Sequence, residues 1–106
     1  MNIRETIIEE IKILSQASEQ LAYEKSLTKA GHAPTELIST FCDDLFNPKD
    51  EELISAFSNE ELKELAHLYG LMVEASRKNH PSVKEMLKDP QWRKVMEFAK
   101  TISFTN

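Results

Sequence analysis

Basic residues are the minority charge in this sequence: 13 Lys and Arg stand against 18 Asp and Glu, a net charge of −5. Non-specific nucleic-acid binding needs a basic footprint, so direct contact with nucleic acid is not expected. Cysteine occurs once, at Cys42, and cannot form an internal disulfide, which suggests the reducing cytoplasm. Two glycines and four prolines in 106 residues leave little room for the tight turns of an all-β fold. No apolar run approaches the ~20 residues that span a bilayer. The opening Met1-Asn2-Ile3-Arg4-Glu5 lacks the apolar stretch of a signal peptide, so neither secretion nor membrane contact is expected. Glycine-rich phosphate loops, nucleophile elbows and zinc-ligand spacings are also absent. Neither catalysis nor a cofactor is therefore expected.

What is present reads as one all-α domain over residues 1–106, a compact bundle of five or six helices. Ile7, Ile11, Leu14, Ser18 and Leu21 recur at four-three-four-three spacing, with Ile3 and Ile8 widening the stripe. This predicts one long first helix of about seven turns, ending near Lys25 and Lys29 and capped by Gly31. Pro34-Thr35-Glu36 opens a second helix with Leu37, Ile38, Phe41 and Leu45 inward. Asn47-Pro48 then reads as N-cap and first residue of a short third helix reaching Ala56.

Ser58-Asn59-Glu60-Glu61 is a capping box, and Phe57 with Leu62 makes the matching staple. Within the helix that follows, Gly70 costs about 1 kcal/mol relative to alanine, which predicts close packing or a kink. Ser82 to Glu85 reads as a second capping box. Asp89-Pro90 starts a last helix carrying Trp92, Val95, Met96, Ala99 and Ile102, and the tail from Ser103 is expected to fray.

Two patterns invite a chemical reading. Glu64-Leu65-Ala66-His67 has the glutamate-x-x-histidine spacing of di-iron bundles, but those sites need two copies and two more inward glutamates. His32 and His80 have Lys29 and Arg77 three positions earlier, so the motif occurs once and reads as surface residues. Cys42 could be a nucleophile, yet Asp43 and Asp44 would repel its thiolate, and a small core filler fits better. Arg93, Lys94 and Lys100 give the last helix a basic side, as in a DNA-recognition helix. Its other face is apolar, and the acidic middle of the chain would repel a duplex.

That middle is the sequence's distinctive feature. Residues 1–30 carry a net −1, residues 31–70 a net −7 and residues 71–106 a net +3. Asp50, Glu51, Glu52, Glu60 and Glu61 fall in first helical turns, where negative charge favours the dipole. Asp43 and Asp44 fall near a helix C-terminus, where it is unfavourable. Either a nearby Lys or Arg pairs with them, or the helix ends sooner, or the pair serves function. In the last case Asp43 and Asp44, flanked by Glu36, Asp50 and Glu51, form an acidic patch suited to a basic protein partner.

Four segments also resemble a known family. Leu21-Ala22-Tyr23-Glu24, Ala33-Pro34-Thr35-Glu36-Leu37, Phe41-Cys42-Asp43-Asp44-Leu45-Phe46-Asn47-Pro48 and Ala56-Phe57-Ser58-Asn59-Glu60-Glu61-Leu62 are similar to small bacterial immunity proteins of contact-dependent growth inhibition systems. The likeness covers about residues 21–69, with Phe41-Cys42 where the family favours a tryptophan ahead of the acidic pair. It implies a cytoplasmic binding protein that neutralises one cognate toxin, commonly a nuclease, by covering its active or substrate-binding surface. The alternatives are a helical adaptor that binds a partner through an apolar groove, or a small acidic transcriptional regulator.

Overall fold

The computed structural model describes residues 2–27 and 32–104, all-α and without a strand among them. The helices are α1 (Ile3–Ser15), α2 (Ala17–Ser26), α3 (Ala33–Ser39), α4 (Glu51–Ala56), α5 (Asn59–Ser76), α6 (Val83–Met86) and α7 (Pro90–Thr101). A π-helical turn, Thr40–Leu45, continues α3. Helix α7 lies at the centre, packed against both α1 and α5. Its Trp92 and Val95 are fully buried among Ile7, Leu14, Phe41, Leu53, Leu65, Leu68 and Met72. No helix of the described residues is long and apolar enough to cross a membrane.

The expected long first helix is two. Helix α1 buries Ile3, Ile7, Ile11 and Leu14 as the spacing requires, and Asn2 Oδ1 caps it by accepting from the Arg4 and Glu5 amides at 3.0 and 3.3 Å. It then stops at Gln16, whose backbone is extended. A helix end orphans carbonyl groups, and here Gln20 meets two of them. Its buried amide nitrogen donates to the Ile13 and Leu14 carbonyls at 3.2 and 3.1 Å. The same amide's oxygen accepts the Trp92 indole N–H at 2.9 Å. Consequently Gln20 is the buried residue of α2, while Ser18 and Leu21, predicted for the inner stripe, are exposed. The cap predicted at Gly31, and Lys29 before it, lie outside the described residues.

Three other boundaries depart from the local pattern. Asn47 Oδ1 accepts from the Lys49 amide at 3.1 Å, so Asn47-Pro48 forms a turn. The N-cap of α4 is Asp50, which accepts from the Glu52 amide at 3.1 Å. Ser82 accepts from the Glu85 amide, but the Glu85 carboxylate points to Lys88 at 3.5 Å, leaving half a capping box. Glu24, from α2, supplies a further acceptor there, taking the Val83 amide at 2.9 Å. Gly70 is not packed closely: α5 continues through it, and a Cβ built there meets nothing within 4 Å.

The box at Ser58 forms in full and carries a long-range contact. Glu61 accepts from the Ser58 amide at 2.8 Å and takes both Arg4 guanidinium nitrogens, at 3.0 and 2.9 Å. Arg4 also donates to the Ala56 carbonyl and lies over the Phe57 and Phe104 rings, at 5.0 and 5.8 Å. Phe104, expected to fray, is therefore half-buried against Phe57. Thr105 and Asn106 lie outside the described residues.

Candidate functional site

Phe41, Leu45 and Phe46 are all buried. Within an α-helix Phe46 would rotate away from the face that holds Phe41 and Leu45. A π turn adds one residue and bonds i to i+5. Here the Phe46 amide donates to the Phe41 carbonyl at 2.8 Å, and the two rings stack at 5.7 Å with 6° between planes. Phe46 then meets Tyr69 of α5 at 5.4 Å. With Phe41, Leu45 and Phe46 turned in, Asp43 and Asp44 are turned out to water.

Of the two structural explanations for the acidic pair, neither applies among the described residues. The helix carries on to Leu45, so Asp43 and Asp44 sit in its final turn, and neither makes an ion pair. The other predicted carboxylates have different surroundings. Glu36 is exposed in the first turn of α3, and its charge reaches Tyr23. Asp50 is committed to its cap, and Glu51 is the exposed first residue of α4.

Asp43 also lines a groove of about 480 Å³, the one member of the predicted set to do so. Ile38, Cys42 and Asp43 form one wall, and Tyr69, Val73 and Arg77 belong to the other. The charged side chains of the groove are Asp43 from one side and Arg77 and Lys78 from the other. Cys42 is half-buried there. Burial, with Asp43 adding to it, pushes its thiol up to about 12, so it stays protonated and is a poor nucleophile.

His80 also lines the groove and is buried, a role no sequence pattern signalled. It shares a 2.7 Å hydrogen bond with Asp89 Oδ2, while Asp89 Oδ1 caps α7 by accepting the Gln91 amide at 3.0 Å. Burial pushes the Asp89 carboxyl up, but His80, the Gln91 N–H and nearby Lys78 outweigh it and hold it below the usual range. Asp89 thus caps α7 with one oxygen and holds the Asn79-His80-Pro81 loop to it with the other.

Glu64 and His67 are both exposed, and the His67 ring packs on Phe98 at 4.4 Å. Among the described residues, no group of three or more His, Cys, Asp and Glu side chains is placed to hold a metal ion. Glu10, another residue the pattern did not mark, is buried in α1, and burial raises its carboxyl to about 7. Comparison with family models, with curated proteins and with solved structures gives no match.

Proposed function

We propose that this chain is an immunity protein: it binds one cognate toxin, a nuclease with a basic surface, and neutralises it without any catalysis of its own. The observation that carries this reading is the Asp43-Asp44 pair, exposed on a π turn and without a counter-ion among the described residues. A fold that gains nothing from two negative charges in a last helical turn keeps them for a partner. The net −7 of residues 31–70 supports the same reading, because such a field steers a basic protein and raises its association rate. The four segments similar to immunity proteins include this pair. Glu36, Asp50 and Glu51 add to the field around it, and the exposed Asp43 and Asp44 carboxylates contact basic groups on the toxin.

This reading expects a toxin domain encoded directly upstream, and the test pairs the chain with that domain. Co-expression should restore growth to cells making that toxin and to no cells making an unrelated one. The double variant Asp43→Asn/Asp44→Asn should fold normally, with stability unchanged or slightly raised. Its association with the toxin should slow roughly tenfold or more at low salt, and the salt dependence should flatten. A variant that unfolds more easily yet binds at the parental rate would make the pair structural and place the interface elsewhere.

A further inference from the structure

Helix α1 buries one ionisable side chain among its apolar ones. Glu10 shares the inner face with Ile7, Ile11 and Leu14 and is 9% exposed, yet it makes no hydrogen bond or ion pair among the described residues. A buried carboxyl without a partner is costly, and folds seldom keep one. None of the buried side-chain oxygens and nitrogens among the described residues is both sealed from water and unpartnered, so the Glu10 carboxyl keeps an opening to solvent. Tyr23 of α2 lies beside it: the charges of Glu10 and of Glu36 both reach the Tyr23 hydroxyl. Thr40, next to the same hydroxyl, begins the π turn. Glu36, Thr40 and Asp44 follow at four-residue steps along α3 and that turn, so they share an outer face. None of these three lines the groove at Asp43.

We propose that Glu10, Tyr23 and Glu36 form a socket for one arginine side chain of the toxin, entering from the acidic face of α3. The inference rests on the immunity reading above and identifies a group the partner contributes. A guanidinium is planar and carries five N–H donors, so it can bond the Glu10 carboxylate below and Glu36 above while lying against the Tyr23 ring. A metal ion is a poorer occupant, since no group of three ligating side chains is placed to hold one among the described residues. The free fold gains nothing from Glu10: burial raises its carboxyl to about 7, so its ionised form weakens the folded state. A cation in the socket supplies the missing partner. Asp43 and Asp44 then act at long range on the approach of the toxin. The Glu10 contact forms only once water has left the interface, and it governs departure.

Carbon-detected NMR of the full chain at pH 8, where Glu10 is ionised, reads the socket without the toxin. Methylguanidinium chloride should shift the Glu10 carboxyl and Tyr23 ring resonances saturably, and tetramethylammonium chloride at the same ionic strength should not. Glu10→Gln should abolish the Tyr23 shift, with circular dichroism checking that the variant is folded. In stopped-flow binding to the toxin, Glu10→Gln should raise the dissociation constant about tenfold or more, through faster dissociation and with association nearly parental. That split separates it from Asp43→Asn/Asp44→Asn, which slows association. The socket is overturned by Glu10 resonances that ignore methylguanidinium, by a Tyr23 shift that persists in Glu10→Gln, or by a variant complex that dissociates at the parental rate. Each of these leaves the immunity reading standing as long as the parent binds the toxin. A parent that binds no toxin overturns that reading and the toxin's arginine with it, whatever methylguanidinium does.

Discussion

Glu61→Gln isolates the ion pair that ties the start of α1 to the start of α5. The substitution keeps an oxygen to accept the Ser58 amide but removes the charge that Arg4 grips with two nitrogens. The Arg4 hydrogen bond, against some opposing desolvation, is the main reason the Glu61 carboxyl is lowered from 4.5 to about 2. Such a displacement corresponds to at most roughly 3 kcal/mol of folding stability at neutral pH. Both side chains keep 22% of their surface in water, so screening reduces this to about 1–2 kcal/mol. A domain of this size should then lose roughly 5–10 °C in Tm at pH 7.

The pH dependence carries the sign. The folded chain holds Glu61 ionised where the unfolded chain protonates it, so the contribution is complete above about 5 and disappears as pH falls toward 2. At pH 3 about two-fifths of it should remain. Urea unfolding of parent and variant at pH 7, 5, 4 and 3 reads the difference directly. A gap that stays constant across this range would refute the ion-pair account and leave only the shape of the side chain to explain any loss.

Three further outcomes follow from other sites. Gly70→Ala should raise stability by about 1 kcal/mol, since α5 is regular there and the new methyl meets nothing; a loss would mean the surface at Gly70 is occupied in solution. Glu10→Gln should stabilise at pH 8 by roughly 1–3 kcal/mol and do little at pH 4. The folded chain holds that proton up to about 7 while the unfolded chain releases it near 4.5, so the parent loses stability as pH rises through this interval; equal effects at both pH values would contradict the burial of the carboxyl. Gln20→Leu should cost roughly 2–4 kcal/mol in urea unfolding, because the Trp92 N–H and the Ile13 and Leu14 carbonyls lose their partner; a cost under about 1 kcal/mol would show that water takes its place.

Signals that act over three or four residues were legible in the sequence alone. Ser58 and Glu61 close their box, Asp89 and Pro90 start α7, and Ile7, Ile11 and Leu14 share the buried face, since each depends on helical geometry within a single segment. The all-α class follows from those periodicities. What tertiary structure decided involves residues far apart in the chain. Helix α1 ends at Ser15 with no proline or glycine to mark it; Gln20 takes the freed carbonyls and the indole of Trp92, 72 positions away. The π turn exists because three apolar residues at positions 41, 45 and 46 share one core, and that turn is what leaves Asp43 and Asp44 facing water. Spacing alone placed the acidic pair near a helix end. Only the packed neighbours could determine that, among the described residues, no cation reaches it, because an ion pair such as Arg4–Glu61 spans 57 positions and leaves no periodic trace.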